Sequence, residues 1–368
     1  MKVLGLGTAV PPGVVDQQEA AEFSKVLVAK DRRQARLLGM LFQRAGVDRR
    51  HSVLVSPDAE VAQDFYRPPR DDADGGPGTA ARMALYEAEA GPLAVRASRA
   101  ALEDAGLVAA DIKHLVTVSC TGFHAPGPEV ALIDDLGLTP EVGRVSVGFM
   151  GCHGAFNGLR VADSMVRAEP TAPVLVCAVE LCSLHFSYQW DSEKLVANAL
   201  FADGSAAFVC VADEAKGAGG SERLALNVGP FASCLLPDSR DAMSWRIGDY
   251  GFEMTLSGEV PALIERHLPS WLSGWLESQG VDHRCVDAWA VHPGGPRILD
   301  AVQRSMGLDE AALSISRAVL ADHGNMSSAT IGFILDRLRC QDQARSGVAL
   351  GFGPGLMAEA FAFRLDGC

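Results

Sequence analysis

Positive charge is scarce in this chain: 32 Lys and Arg stand against 46 Asp and Glu, for a net charge of −14 and a pI near 5.1. That balance leaves no electrostatic footprint for nucleic acid and disfavours an anionic membrane surface. An anionic ligand therefore needs a local basic patch. Long apolar runs are missing too. Nothing reaches the roughly 18 consecutive apolar residues of a membrane-spanning helix, so no span is expected. The opening MKVLGLGTAVPPG has one lysine and a short apolar run stopped by Pro11 and Pro12, too short for the core and cleavage site of a signal peptide. Paired cysteines are absent as well. The nine cysteines are an odd number, none forms a CxxC pair, and most lie in apolar runs such as VLVCAVELC. This usage suits reduced thiols in a cytoplasm better than a disulfide framework or a zinc site.

What is present is a large apolar complement, 48% of 368 residues, enough for a two-part unit with an extensive core. VLGLGTAV reads as a buried strand, and residues 17 to 45 as helix. The segment from Ser56 to Pro77, with four prolines and many acids, reads as a surface loop. GPLAVRASRAALEDAGL carries helical spacing with Gly106 near its stop, and HLVTVSC follows as a strand. The same grammar recurs in APVLVCAVE, AAFVCVA, LALNVGP, DAWAVHPGG and GVALGFGPG, several of which end in glycine-rich turns. Strands alternating with helices imply α/β layers. Residues 113 to 138 and 286 to 308 each run strand, Pro-Gly turn, helix, Gly-Leu. This echo points to a duplicated α/β unit joined near the Ala/Gly-rich stretch 213 to 222.

Three residues stand out chemically. Cys152, in SVGFMGCHGAFNGLR, follows a strand-like run and precedes a helix with Phe156, Leu159, Ala162, Met165 and Val166 on one face. A thiol at a helix N-terminus is favoured as thiolate; equally, free cysteine is among the most buried residue types, so this one also reads as a small hydrophobe in a tight turn. His292 ends an apolar strand at Pro293-Gly294-Gly295-Pro296, where a hydrogen-bonded structural histidine is the plain alternative. Asn325, after Gly324 in DHGNMSSATIGFILDRL, also reads as an ordinary N-cap. Together they supply what thiol-based acyl transfer needs: a nucleophile, a base or donor, and an amide to steady a developing oxyanion or enolate. Thiol peptidases of the papain kind use the same three residue types.

The segments GTAVPP, FMGCHGAFNGLR, ALFADGSAA, VHPGGPRILDAV, HGNMSSATIGFILD and GFGPGL, in this order and spacing, resemble the type III polyketide synthases, the chalcone and stilbene synthase family, over nearly the whole chain. The resemblance implies a thiolase fold: two pseudo-repeated α/β halves, residues 1–218 and 219–368, in a layered α-β-α-β-α arrangement within a homodimer. It implies an acyltransferase in which Cys152, its sulfur kept ionised by a His292 imidazolium, takes an acyl-CoA starter, and His292 and Asn325 act on malonyl-CoA. Decarboxylative condensation would follow, then cyclisation to a pyrone, resorcinol or other phenolic product, with no metal and no cofactor besides the CoA thioesters. It also implies a substrate cavity at Cys120, Ala125, Phe201, Met254, Ser327 and Pro354, and CoA phosphate contacts at Arg44 and Arg297. Arg49 and Arg50 stand nearby, but Asp48 occupies the family's second basic position.

Departures from the plant pattern bear on product. Met254 replaces a gate phenylalanine, Cys120 a cavity threonine, and Ala125 a methionine that reaches into the partner's cavity, with Trp245 a candidate to refill the space. Two other readings keep the fold: a fatty-acid-initiating ketoacyl synthase, and a non-catalytic acyl-CoA-binding relative, whose mark would be loss of Cys152, His292 or Asn325.

Overall fold

The alternation of strand and helix runs through the chain twice. The computed structural model describes residues 1–56, 63–213, 224–341 and 345–366. Its first half consists of β1 (Lys2–Ala9), β2 (Val14–Asp16), α1 (Gln17–Val28), α2 (Arg32–Gln43), β3 (Arg49–His51), α3 (Thr79–Ala105), β4 (His114–Ser119), α4 (Pro128–Asp134), β5 (Gly143–Gly148), α5 (Gly154–Ala168), β6 (Val174–Leu181), α6 (Ser192–Leu200) and β7 (Asp203–Val211). The second consists of β8 (Ala225–Leu235), β9 (Met243–Gly248), β10 (Gly251–Leu256), α7 (Val260–Ser278), β11 (Ala288–Val291), α8 (Pro296–Met306), α9 (Ser314–His323), α10 (Thr330–Arg339), β12 (Arg345–Gly353) and β13 (Met357–Asp366).

The two halves repeat one pairing pattern. β4 runs parallel to β6, which is antiparallel to β7, which is antiparallel to β1. Likewise β11 runs parallel to β12, which is antiparallel to β13, which is antiparallel to β8. The two sets of strands join where β1 pairs with β8, at Lys2 with Asn227 and Val3 with Leu226. This repeat matches the echo read in the sequence, while the 218/219 boundary lies outside the described residues, as do residues 57–62 of the acidic proline-rich segment.

Side-chain burial gives the layers. Phe156 and Leu159 of α5 and Ile331 and Leu335 of α10 share one core with Val116, Val176 and Phe208 of the first sheet and Ala290, Ala349 and Phe361 of the second. The two helices therefore lie between the sheets. On the outer faces, α3 packs through Leu93 and Ala97 against Leu175 and Val209, while α7 and α8 pack through Leu268, Leu272, Leu299 and Val302 against Trp289 and Leu350. Helix, sheet, helix, sheet, helix is the expected order of layers.

Two local expectations are corrected. Residues 17 to 45 form two helices, because the Asp31 side chain accepts from Gln34 N at 2.8 Å and starts a second one. The proline-rich loop is not all surface: Tyr66 is buried, its hydroxyl donates to Ser183 O at 2.9 Å, and the buried Arg82 donates to Pro77 O and Leu184 O.

A buried ion pair ties the halves together behind the sheets: Arg339 of α10 lies 2.7 Å from Asp104 of α3, and Asp104 also accepts from Leu6 N. Replacing Arg339 by Met removes this cation from the partly buried Asp104 carboxylate and is expected to destabilise the fold, read as a lower urea midpoint at unchanged slope.

Candidate active site

Two equivalent turns build the site. Residues Gly151–His153 form a 3-10 turn leading into α5, and Ser327–Ala329 form one leading into α10. In each, the first residue has a left-handed backbone, Gly151 at φ 69° and Ser327 at φ 47°. At 151 a side chain would collide with Pro354, since a Cβ there would lie 2.5 Å from the proline ring, so glycine lets the nucleophile turn sit against the GFGPG loop. At 327 a serine holds a conformation that costs energy in any residue with a Cβ, the kind of strain found at functional sites.

Cys152, His292 and Asn325, distant in sequence, line one small cavity with Phe201, Met254, Leu256, Ile298 and Phe352. All three are buried. Asn325 is fixed by its backbone, which bonds Leu200 O and Ala202 N across a bridge to Phe201. Its side-chain oxygen accepts from Ser327 N at 2.9 Å, which leaves the amide N–H groups to face the cysteine. The N-cap alternative is thus half right: the side chain does close the turn, with its other end free for the site. His292 N donates to Leu350 O at 2.8 Å, yet both ring nitrogens are buried without a partner among the described residues. A structural histidine would be hydrogen-bonded; this ring points unsatisfied into a cavity.

Burial dominates the electrostatics. The Cys152 thiol is pushed up to about 11, against hydrogen bonding from Ser327 and Asn325 that pulls it down and the nearby Glu180 charge that adds to the rise. Burial likewise pushes His292 down to about 3, with His153 adding to the shift. Burial thus opposes both the thiolate that a helix N-terminus favours and a charged imidazole.

A second, mostly apolar cavity of about 340 Å³ shares Cys152, Phe201 and Met254 with the first and also contains Cys120, Ser327, Pro354 and Trp245. Phe201 and Met254 therefore stand at the junction of the two spaces, where gate residues were expected. Trp245 donates its indole N–H to Cys120 O at 2.7 Å, and Cys120 Sγ lies 3.2 Å from Ser327 Oγ. The cavity extends past Tyr66 and Phe186 to Val14, Ala20, Phe23 and Ser24 of the β2–α1 region. Ala125 lies on the surface of the chain and lines neither cavity.

Arg44 and Arg297 are both exposed, and a side chain at Gly46 would touch Pro296, which brings the two arginine-bearing turns together outside His292. Arg49 pairs with Asp322. Arg50 is no phosphate ligand: it is buried and donates to the carbonyls of Asn198, Ala199 and Phe201, satisfying the end of α6 and fixing the gate.

Two site residues escaped the sequence reading. Glu180, wholly buried at the end of β6, accepts from Cys120 N, Thr121 Oγ1 and Ser328 Oγ, and burial raises its pKa. Its signal was an acid closing a fully apolar strand. His185 lines the larger cavity; its Nδ1 accepts from Phe252 N at 2.9 Å, so Nε2 carries the proton and donates to Thr121 O at 2.7 Å. Among the described residues no group of His, Cys, Asp and Glu is arranged to hold a metal ion, and no helix is long and apolar enough to cross a membrane.

Comparison with known proteins agrees with this geometry. The family description "Chalcone and stilbene synthases, N-terminal domain" matches residues 1–214, and its C-terminal counterpart matches residues 230–365. The chain is 34% identical over 366 residues to the alpha-pyrone synthesis polyketide synthase-like Pks18 of Mycobacterium tuberculosis, covering 98% of this chain and 90% of that one. It is 33% identical over 365 residues to the 1,3,6,8-tetrahydroxynaphthalene synthase of Streptomyces peucetius, covering 98% and 92%. The crystal structure of PKS-I from the brown alga Ectocarpus siliculosus superimposes with a TM-score of 0.89 at 30% identity, covering 99% of this chain and 97% of that one. With both halves matched and the fold shared end to end, the chain belongs to the chalcone and stilbene synthase family, the type III polyketide synthases.

Proposed function

We propose that this malonyl-CoA-dependent acyltransferase loads a medium- or long-chain acyl group onto Cys152, extends it by decarboxylative Claisen condensation, and closes it to a pyrone, resorcinol or other phenolic ring bearing an alkyl tail. The mostly apolar cavity that runs from Cys152 to α1 carries this choice of starter, since Phe186, Phe23 and Ala20 line it for an alkyl chain, with polar groups such as Ser24 and Gln63 beside them.

In the first step Cys152 Sγ attacks the thioester carbon while His292 takes the thiol proton; CoA sulfur leaves and recovers that proton. His292 and the free amide of Asn325 then polarise the malonyl thioester carbonyl. The apolar walls of Ile298, Leu200 and Phe352 disfavour the malonyl carboxylate, which departs as CO2 with its bonding electrons left as an enolate. The enolate carbon bonds to the Cys152 acyl carbon, sulfur leaves, and the lengthened chain returns to Cys152 for another round. No step calls for a metal or redox cofactor. All three residues of the constellation are retained, which favours this reading over a non-catalytic relative, and the GNMSSA and GFGPG segments favour it over a ketoacyl synthase.

A homodimer fits the surface around β5. This strand is the free edge of its sheet, Val145, Phe123 and Met150 beside it are exposed, and Ala125 belongs to the same face. An apolar edge of this kind calls for a covering partner. Free thiols at all eight described cysteines fit a cytoplasmic setting.

Three outcomes follow. Alkylation of Cys152 by iodoacetamide, followed by intact mass against pH, should show a midpoint above the ordinary thiol value of about 8.5, because burial holds the thiol protonated; a midpoint near neutrality would establish a resting ion pair instead. Cys152→Ala should form no acyl adduct, whereas Asn325→Ala should still load a starter and lose CO2 release and extension by about a hundredfold. Ala20→Phe, at the far end of the cavity, should shorten the longest accepted starter while leaving short acyl-CoAs and the melting temperature nearly unchanged; an unaltered starter profile in a folded variant removes the alkyl-tail reading.

A further inference from the structure

A second buried carboxylate stands behind the nucleophile turn. Glu359 of β13 pairs with Arg160 of α5 and accepts from Ser233 Oγ at 2.7 Å and from Asn157 Nδ2 at 3.2 Å. A carboxylate held by an arginine only accepts, so it draws the amide nitrogen of Asn157 to itself and turns the amide oxygen the other way. That oxygen lies 2.9 Å from Nδ1 of His153, the residue after Cys152. An amide oxygen also only accepts. Nδ1 therefore carries the proton, and Glu359, acting through Asn157, fixes the ring in one tautomer.

The opposite edge of the ring is closed by backbone. A Cβ at Gly353 would lie 2.4 Å from His153 Cδ2 and 2.6 Å from Nε2, so the end of β12 lies against the ring only because glycine stands there. Earlier in the same strand, Leu350 O accepts from His292 N. The ring is thus wedged between α5, which supplies Asn157, and the strand that holds the proposed base. His153 is buried and lines neither cavity, so it acts on the reaction through its neighbours. Burial pushes it toward the uncharged form, and a charge there would oppose the one His292 gains with the thiol proton. Packing alone would be met by an apolar side chain at this position. A buried carboxylate that orients an amide, which in turn orients a ring, costs desolvation and gives direction.

We propose that His153 is a positioning residue for acyl loading, whose Nδ1–H bond to Asn157 sets the direction in which Cys152 Sγ faces His292 and the incoming thioester. This rests on the reading of Cys152 as the residue that takes the starter.

The test keeps one edge of the ring at a time. The amide nitrogen of an asparagine stands where Nδ1 stands, and that of a glutamine where Nε2 stands. At saturating octanoyl-CoA, with Cys152 acylation read by intact mass, His153→Gln should load about tenfold or more slowly than wild type, and His153→Asn should rescue the rate to within about threefold. Asn157→Leu removes the acceptor without touching the turn, and should match His153→Gln. In all three variants CO2 release from malonyl-CoA should stay within about twofold of wild type, because His292 and Asn325 act there without the sulfur. A merely structural role would lower both reactions and the melting temperature together. Equal slowing by asparagine and glutamine, unslowed loading in His153→Gln and Asn157→Leu, or a parallel loss of CO2 release overturns the proposal. If the variants at 153 fail to fold, Asn157→Leu carries the same comparison from the other end of the bond. Wild-type protein that releases CO2 but never becomes acylated at Cys152 overturns the reading of the site itself, and this role with it.

Discussion

The buried carboxylate of Glu180 is the point on which the two halves agree. It sits at the end of β6 in the first half, and its acceptors are taken up by Cys120 N, Ser119 Oγ and Thr121 Oγ1 from the end of β4 and by Ser328 Oγ from the turn before α10. Thr121 Oγ1 in turn accepts from Leu181 N, so the ends of two parallel strands and the start of the opposite central helix are held by one group. Removing a carboxylate from water is costly unless its lone pairs are filled, and four donors from two segments fill them. The cleft that contains Cys152 keeps its shape because that condition is met in one arrangement of the halves.

The same burial governs the chemistry. Glu180, Cys152 and His292 share a desolvated neighbourhood, where each charge is disfavoured and any proton that moves must have a receiver close by. Burial pushes the thiol up and the imidazole down, so it favours the neutral form of each. His153, next in sequence to the nucleophile, is pushed toward the uncharged side as well by burial, against its hydrogen bond with Asn157, which itself donates to the buried Glu359. Nothing in the apolar arm of the larger cavity takes part; it offers volume, and the polar work is confined to the sulfur end.

Much of this was legible in the sequence, for identifiable reasons. Short strands of β-branched and small residues, separated by helices with clean stops such as Gly106 and Gly307, gave the α/β layers and the duplication. Cys152, His292 and Asn325 were legible because each sits at a glycine-marked end of an element, where backbone turns expose a side chain. Glu180, His185 and Arg50 were not, because their roles depend on partners 60 to 150 positions away, and a buried polar residue looks locally like a surface one. The break between α1 and α2 went unread since Asp31 had to be recognised as a cap inside an otherwise helical run. The protonation of Cys152 could not be read from its place at a helix start: that position lowers a thiol's pKa, and the depth of burial, invisible in sequence, reverses the sign.

The paired turns before α5 and α10 have a historical consequence. Met150, Gly151 and Cys152 of one correspond in place to Met326, Ser327 and Ser328 of the other, with the same left-handed residue in the middle. Two copies of one structural device have diverged into a nucleophile on one side and a set of hydrogen-bond donors on the other. In the one chain, one turn carries the nucleophile while the other supplies donors that face it. Neither half alone retains a complete reaction centre, and the fusion has become irreversible for function even though each half still carries a full copy of the architecture.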